Sequence, residues 1–399
     1  MQSIRQLYKI GNGPSSSHTM GPLKAAQEFA AAHPDATRFE VTLYGSLAAT
    51  GKGHLTDVAI LNALRPTAPA DIIWEPETVL PFHTNGMKFR ALAAEGFELA
   101  SETVYSIGGG DIVREGESRL DAEAHIYPLE KIADIQAWAE KSGRSYWEYV
   151  QEYEGSDVWD YLSEVWQVMR EAVERGLEAE GVLPGGLGVR RKAVSYYMHA
   201  CGHTEALRSR GLVYAYALAV SEENASGGKI VTAPTCGSCG VLPGVLYHLF
   251  TSKNFSERRI LRALATAGLF GAVVKHNASV SGAEVGCQGE VGVACAMAAA
   301  AASQLFGGTP AQIEYSAEMG LEHHLGLTCD PVCGLVQIPC IERNAYAAAR
   351  ALDSNLYASF SDGHHSVSFD RIVEVMKQTG HDLPSIYKET AKGGLAAIN

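Results

Sequence analysis

The sequence predicts an α+β protein of two domains, an N-terminal α/β domain followed by a mainly α-helical domain. Its 399 residues exceed the length of one typical domain and leave room for a sizeable core. Apolar and polar residues alternate in several stretches of the first third, as they do in half-buried strands. From about residue 128 onward helical spacing prevails, and Gly and Pro separate the helical stretches. We therefore divide the chain into domains 1–127 and 128–399.

The N-terminal domain is predicted to mix helices and strands. Residues 13–34, "GPSSSHTMGPLKAAQEFAAAHP", form a Ser- and Gly-rich loop that leads into a helix with a Pro just inside its start. "RFEVTLYGS" (38–46) alternates apolar and polar residues and predicts a strand, and "DVAILNALR" (57–65) predicts a helix. "MKFRALAA" (87–94) and "ELASETVYSI" (98–107) predict two further strands, the second ending in a run of glycines.

The C-terminal domain is predicted to be built from helices. Four stretches have helical spacing and little strand pattern: 129–143, 157–178, 206–225 and 256–274. "VGVACAMAAAAA" (291–302) is Ala-rich and predicts a buried helix. Since no run reaches the roughly 18 apolar residues that cross a bilayer, we expect no membrane span.

Composition and charge exclude several classes of protein. Hydrophobic residues make up 46% and charged residues 19% of the chain, as in ordinary globular proteins. The net charge of −13 argues against nucleic-acid binding, and the basic cluster Arg190–Lys192 is too short for a binding groove. The first residues lack the pattern of a signal peptide, so we expect a cytoplasmic protein. In a reducing compartment, clustered cysteines favour metal binding or catalysis over disulfides.

The eight cysteines fall into groups. Cys329, Cys333 and Cys340 lie within twelve residues of a segment interrupted by Gly and Pro, and Cys287 lies in another Gly-rich stretch. Loops of this kind can turn several thiolates toward one point. The remaining four are a C-x-x-C pair and two that we interpret as small buried hydrophobes: Cys236 and Cys239, and Cys201 and Cys295.

Spacing alone leaves three interpretations of the clustered cysteines open. A structural zinc site is one, although the usual repeated C-x-x-C spacing is absent. A thioredoxin-like redox pair is another, although no matching βαβ context surrounds the C-x-x-C. The third is an iron–sulfur cluster, whose cysteine spacing varies more widely.

A hydroxyl-rich loop precedes the first predicted helix. Free N–H groups and the positive end of a helix dipole attract a carboxylate or a phosphate. An ordinary helix cap needs only one of these hydroxyls, so we favour a binding role over capping alone. The candidate binding residues are Ser15, Ser16, Ser17, His18 and Thr19.

His54 follows a Gly-Lys-Gly turn in "TGKGHLTDVAI" and is a candidate general base. If a helix begins here, Asp57 three residues later could orient the imidazole. A surface histidine at a turn is the alternative. Lys229 or Lys275 beside Gly-rich stretches would suit a pyridoxal-phosphate enzyme, but the helical second domain lacks the expected alternation of strands and helices.

Taken together, the motifs closely resemble the iron–sulfur-dependent L-serine dehydratases (L-serine ammonia-lyases), and the resemblance covers nearly the whole chain. The first domain is similar to the β part of that family and the second to its α part. The resemblance implies a substrate-binding α/β domain and a cluster-binding helical domain. The motifs are "GPSSSHTMGP", "YGSLAATGKGHLTD", "NGM", "YSIGGG", "SEENASGGKIVTAPT", "ASVSGAEVGCQGEVGVACAMAAA" and "EHHLGLTCDPVCGLVQIPCIERNA".

The resemblance also implies a [4Fe–4S] cluster held by three cysteines, with one iron left for the substrate. The family contexts "GCQGEVG", "LTCDP" and "IPCIERN" fall on Cys287, Cys329 and Cys340, whereas the motif requires no Cys at position 333. Some relatives end in a cysteine that caps the open iron. This chain ends in "KGGLAAIN", so we expect water, substrate or the terminal carboxylate of Asn399 as the fourth ligand.

The reaction implied by the resemblance converts L-serine to pyruvate and ammonia without pyridoxal phosphate. His54 is then the base, the Ser15–Thr19 loop holds the substrate carboxylate, and the site lies between the domains, within one chain or across a homodimer. L-Cysteine desulfidation is an alternative with the same elimination chemistry, and L-threonine is a candidate side substrate. A serine-binding sensor without catalysis is an alternative from a different class.

Overall fold

The computed structural model describes residues 1–94, 96–117 and 125–397. It is a mixed α+β structure with a sheet in the N-terminal region and helices after it, which confirms the predicted order. The strands are β1 (Ile10–Asn12), β2 (Arg38–Tyr44), β3 (Ala70–Glu75), β4 (Gly86–Leu92), β5 (Glu98–Gly108), β6 (Asp111–Arg114) and β7 (Lys229–Val231).

The helices up to residue 178 are α1 (Gly21–Ala32), α2 (Gly45–Thr50), α3 (Thr56–Leu64), α4 (Ile132–Ser142), α5 (Tyr146–Glu154) and α6 (Val158–Glu178). The later helices are α7 (Ala193–Cys201), α8 (Glu205–Ala225), α9 (Val241–Lys253), α10 (Glu257–Asn277), α11 (Gly282–Val285), α12 (Val291–Leu305), α13 (Pro310–Glu322), α14 (Cys340–Ser359) and α15 (Phe369–Asp382).

Five strands form one sheet in the order β3-β2-β4-β5-β6. Strand β2 pairs in parallel with β3 and antiparallel with β4, and the remaining pairs are antiparallel. Alternate residues of β2, namely Phe39, Val41 and Leu43, are buried, as the period of two in its sequence predicts. They share a core with Phe29 of α1 and Ile60 of α3, so both helices cover this face of the sheet.

The helical region is organised around α12, as its Ala-rich sequence predicts. Every residue of α12 except Gln304 is buried, and helices α9, α10, α13 and α14 pack against it. Small side chains allow this close approach, since a Cβ on Gly320 of α13 would lie 3.0 Å from the Cα of Ala296. Among the described residues, no helix is long and apolar enough to cross a membrane.

The first twelve residues pack against the helical region, although they precede the sheet. Ile4, Leu7 and Tyr8 belong to the helical core, and the Tyr8 hydroxyl donates to the carbonyl of Leu264 at 2.8 Å. Strand β1 also pairs antiparallel with β7, deep in the helical half of the sequence. The division at residue 127 stays a prediction, and the N-terminal segment ties the two regions together.

Candidate active site

Three separate segments bring Cys287, Cys329 and Cys340 to one cavity. Cys287 begins a single 3₁₀ turn that follows Gly286, whose φ of 74° suits a glycine. Cys329 lies in an extended stretch and its backbone N–H donates to the carbonyl of Tyr387 at 2.9 Å. Cys340 is the first residue of α14. The fourth clustered thiol, Cys333, is exposed and does not line this cavity.

The same cavity is lined by residues from both ends of the chain. Ser15, Ser16 and His54 come from the N-terminal region, whereas Glu290 and Glu389 accompany the thiols. The cavity measures about 20 Å³, which is room for about one water molecule. The structure therefore joins the hydroxyl-rich loop, the candidate base and the three candidate ligands in one enclosed place.

Burial governs the chemistry of the three thiols. It raises the pKa of the Cys329 and Cys340 thiols, and raises that of Cys287 to about 11, with the nearby Glu290 adding to the rise. The guanidinium of Arg343 contacts Cys287 and opposes this rise. A group of positive charge bound among the thiols would hold them as thiolates, which are the ligand form of cysteine.

The chemistry of the donor set fits an iron–sulfur cluster, because cysteine thiolates are the usual ligands of such clusters. Among the described residues, no group of three or more His, Cys, Asp or Glu side chains has the geometry of a single-ion site. The three thiols line one cavity, and a cluster bound there would have to widen it, since about 20 Å³ holds only about one water molecule. Gly282 keeps the wall open, because a Cβ there would lie 2.9 Å from the Sγ of Cys329.

His54 is fully buried, and among the described residues neither of its ring nitrogens has a hydrogen-bond partner. Its ring lies 4.4 Å from that of His18, measured between centroids. Burial lowers the pKa of both imidazoles, that of His18 to about 4, so both are neutral at pH 7. The suggested orientation of the ring by Asp57 is wrong, because neither ring nitrogen of His54 is hydrogen-bonded to it. The alternative of a surface histidine is wrong, because His54 is buried.

The hydroxyl-rich loop divides its residues between two tasks. Ser15 and Ser16 line the cavity, and the Ser15 side chain caps the following π-helical turn by accepting from the N–H of His18 at 3.1 Å. Ser17 and Thr19 hold the two histidines, His18 and His54, in place. Ser17 Oγ lies 2.9 Å from Nδ1 of His18, and Thr19 donates to the carbonyl of His54 at 2.7 Å.

Sequence reasoning missed two buried carboxylates in the cavity. Glu290 accepts from Thr235 at 2.8 Å and lies 3.6 Å from the Cys329 thiol. Burial raises the pKa of Glu290 and raises that of Glu389 to about 8, with Glu290 adding to the second effect. Glu290 lies in the "GCQGEVG" motif and could have been found there. Glu389 reaches the site only through tertiary contacts.

Two buried polar residues near the site also escaped notice, although the motifs "NGM" and "YSIGGG" contain them. Neither polar atom of the Asn85 amide has a partner, and the hydroxyl of Ser106 has none. The N–H of Ser106 donates to the carbonyl of Asn85 at 3.0 Å, so the two are neighbours. A Cβ on Gly21 would lie 2.3 Å from Ser106 Oγ, which places this pair beside the hydroxyl-rich loop.

The other candidates lie elsewhere. Cys236 and Cys239 are buried in the turn before α9 but do not line the cavity, and Cys295 is buried in α12. The prediction for Cys201 is wrong, because it is exposed at the end of α7. Lys229 is exposed and Lys275 is paired with Asp111, so neither lines the cavity. Asn399, expected near the fourth ligand position, lies outside the described residues.

A neutral imidazole without a partner, buried thiols and a hydroxyl-rich turn in one cavity define a candidate enzyme active site with a metal-ligand set. Comparison with known families agrees along the whole chain. The model of the serine dehydratase alpha chain matches residues 93–396, and that of the serine dehydratase beta chain matches residues 3–72 and 63–117. The chain belongs to the serine dehydratase family, which confirms the resemblance seen in its motifs.

Individual relatives match over nearly their full length. The chain is 42% identical to an L-serine dehydratase of Streptomyces coelicolor, over 99% of this chain and 98% of the relative. Identity is 40% with L-serine dehydratase 2 of Escherichia coli and 37% with an L-serine dehydratase of Helicobacter pylori, each over 99% of this chain and 98% of the relative. The first alignment has 447 positions against 399 residues here, so at least 48 have no residue in this chain.

Proposed function

We propose that this protein converts L-serine to pyruvate and ammonia by β-elimination. The observation that carries the proposal is the unpartnered, neutral imidazole of His54 on the same cavity as the three buried thiols. The names of the relatives, L-serine dehydratase in each case, supply the substrate. The predicted homodimer and cytoplasmic location stay predictions.

Cys287, Cys329 and Cys340 would hold a [4Fe–4S] cluster, whose open iron would supply a Lewis acid for the departing hydroxyl group of serine. Arg343 supports this ligand set from the side. It donates to the carbonyl of Thr328 at 2.7 Å and pairs with Asp330 at 3.3 Å, which holds its guanidinium against Cys287. A fixed positive charge there favours the thiolate form of the ligands.

The protein's own residues bind the substrate and move the proton. Ser15 and Ser16, at the start of the π-helical turn, hold the serine carboxylate through their hydroxyl groups. His54 takes the Cα proton, for which it needs the lone pair of a neutral imidazole. Loss of that proton and of hydroxide gives aminoacrylate and water. Aminoacrylate then tautomerises to an imine, and a water molecule hydrolyses the imine to pyruvate and ammonia.

The enclosed cavity implies that a segment moves to admit serine, because about 20 Å³ is less than a serine molecule needs. The segment around Glu389 closes one side. The N–H of Glu389 donates to the carbonyl of Cys329 at 2.8 Å, and the Ser46 hydroxyl donates to the carbonyl of Glu389 at 3.1 Å.

The test is purification of the full chain without oxygen, followed by iron and sulfide analysis and a pyruvate assay. We expect about four irons per chain, as in a [4Fe–4S] cluster, and pyruvate formation that depends on L-serine and is lost in air. L-Threonine and L-cysteine are assayed in parallel, and faster turnover of L-cysteine would change the substrate. Serine binding without any pyruvate would indicate a sensor. Turnover that survives removal of iron would contradict the proposal.

A further inference from the structure

A second cavity lies on the other side of the segment that leads to Cys340. It has a volume of about 340 Å³, within the range of small-molecule sites. The loop that precedes α7 forms one wall, and the residues from Gln337 to Glu342 form the opposite wall. This cavity shares no lining residue with the candidate active site, although Pro339 and Ile341 flank Cys340 in sequence. The two cavities are therefore separate.

The walls are aliphatic. No aromatic side chain is among the described residues that line the cavity, so a flat ring would find no stacking partner there. An occupant with a branched aliphatic body would instead bury apolar surface against these walls. The aliphatic lining residues are Leu187, Val189, Ile338, Pro339 and Ile341.

A buried amide ties the two walls of this cavity together. Gln337 is only 3% exposed, and its Nε2 donates to the carbonyl of Pro184 at 2.6 Å. This bond joins the segment that leads to Cys340 to the loop before α7.

The charges of the lining leave one cation and one anion for an occupant. Lys192 and Glu342 neutralise each other at 2.5 Å. Arg190 is exposed, and in the described part of the chain its side chain has neither an ion pair nor a hydrogen bond. The Glu222 carboxylate accepts only backbone N–H groups, those of Lys192 and Ala193. A carboxylate therefore suits Arg190, and an ammonium group suits Glu222.

We propose that this cavity binds an α-amino acid with an aliphatic side chain, at a site distinct from the one for serine. Its carboxylate pairs with Arg190, its ammonium group pairs with Glu222, and its side chain packs on Ile338 and Leu187. Serine, which lacks an aliphatic body, fits this site poorly. The inference does not depend on the proposed reaction, because no catalytic step uses it.

The position of the site couples it to the candidate active site. The segment between Val336, which lines the active-site cavity, and Cys340 forms the wall that an occupant touches. The N–H of Ile341 donates to the carbonyl of Gln337 at 3.1 Å, so a fixed Gln337 also fixes the start of α14. An occupied site thus restrains a candidate ligand segment, and any effect of one ligand on the other's affinity is reciprocal.

Calorimetric titration of the oxygen-free full chain with L-valine tests the proposal. We expect saturable binding of L-valine. Isovalerate lacks the ammonium group and isobutylamine lacks the carboxylate, so each should bind at least about tenfold more weakly for the loss of one charged contact. L-Serine should not displace L-valine. Displacement by L-serine, or no binding of L-valine up to about 10 mM, would overturn the proposal.

Variants locate the site. Arg190→Ala removes the carboxylate partner and should weaken L-valine binding at least about tenfold. Leu187→Trp fills the cavity and should abolish binding, whereas Arg258→Ala removes an exposed cation on α10 and should leave it unchanged. L-Valine binding that is the same in Arg190→Ala and Leu187→Trp would overturn the assignment. Serine turnover is measured separately, so its failure would contradict the proposed function and leave this site standing.

Discussion

His54 owes its position to contacts that leave its ring free. Its carbonyl accepts from Thr19 at 2.7 Å, and the carbonyl of His18 accepts from Thr56 at 2.5 Å, so the backbone of each histidine is held by a hydroxyl from the other's segment. His18 uses Nε2 toward Ser46 at 3.1 Å, whereas both nitrogens of His54 stay unpaired. An imidazole buried without hydrogen-bond partners lowers the stability of the fold. We interpret this cost as the consequence of a role that needs the free lone pair.

The base assignment predicts that His54→Ala keeps the cluster and loses turnover. A positioned general base contributes about 10²–10⁴-fold in rate, so the pyruvate rate should fall by about that factor. Iron and sulfide content should equal that of the unaltered chain, because His54 is not among the expected ligands. His323→Ala, which removes an exposed histidine, is the matched control. Near-native turnover of His54→Ala would remove this residue as the base.

The ligand assignment predicts opposite results for two cysteines only four residues apart. Cys329 is buried in the cavity, whereas Cys333 is exposed in a left-handed turn with a φ of 55°. Cys329→Ala should lose iron, sulfide and turnover, because a cluster held by three thiolates then has two. Cys333→Ala should keep all three. Loss of iron from Cys333→Ala, measured by metal analysis on oxygen-free protein, would refute the assignment.

At the scale of elements, the sequence predicted the helices and strands whose own residues show a regular apolar pattern. The alternation in β2 and the periodicity of α6 are confirmed by the structure, because each buries one face of its own residues. Strands β1 and β7 were not predicted. Each is three residues long and exists through a partner more than 200 residues away, which no local window contains. Edge strand β3 was also missed, since its half-exposed residues follow a stretch rich in turn-forming Pro66 and Pro69.

The same limit applies to the candidate site. The cysteines and the hydroxyl-rich loop stand in recognisable motifs, so their residues could be named from the sequence. The burial of His54 and its contact with His18 depend on how two segments meet. Glu389 arrives from the far end of the chain and its neighbouring sequence gives no signal. These contacts are decided by tertiary packing, which produces no periodic pattern in the sequence.

Close helix packing predicts a large effect of one small change in α6. A Cβ on Gly176 would lie 2.3 Å from the carbonyl oxygen of Ala219 in α8, and backbone atoms cannot move aside as a side chain can. Gly176→Ala should therefore destabilise the chain by about 1–3 kcal/mol despite the better helix propensity of Ala. Gln167→Ala in the exposed part of α6 should stay within about 0.5 kcal/mol. Thermal unfolding measures both, and a stabilised Gly176→Ala would contradict the close contact.

At the scale of the whole molecule, buried histidines should make stability depend on pH. Burial lowers the pKa of His248 to about 4, with Lys253 adding to the effect. Between pH 6.5 and 4, His248 binds a proton in the unfolded chain but not in the folded chain. This contribution to stability is therefore complete above about pH 6.5 and is lost as the pH falls toward about 4.

His248→Gln should thus flatten the acid side of the stability profile. Between about pH 7 and pH 5 the unaltered chain should lose about 2 kcal/mol more than the variant, from about 1.4 kcal/mol per pKa unit. The measurement compares the fall in unfolding midpoint for both proteins over this range. Exposed His323→Gln should leave the profile unchanged. An equal fall in His248→Gln and the unaltered chain would show that His248 does not titrate with unfolding.

One buried ionic cluster joins the sheet to the helices. Asp111 at the start of β6 pairs with Lys9 of the N-terminal segment and with Lys275 of α10, the latter at 2.5 Å. The three side chains are only 16–17% exposed. Since the two ammonium groups share one carboxylate, removal of that carboxylate leaves two like charges buried together.

Asp111→Asn should destabilise the chain by about 3–5 kcal/mol, the usual cost of breaking a buried pair. In Asp111→Asn with Lys275→Met one of the stranded charges is gone, so the double variant should be more stable than Asp111→Asn alone. Glu374→Gln breaks an exposed pair with Arg371 and should cost less than about 1 kcal/mol. Denaturant unfolding of the unaltered chain, of Asp111→Asn, of Lys275→Met and of the double variant gives the coupling energy. Additive effects of Asp111→Asn and Lys275→Met would mean that the cluster does not act as one unit.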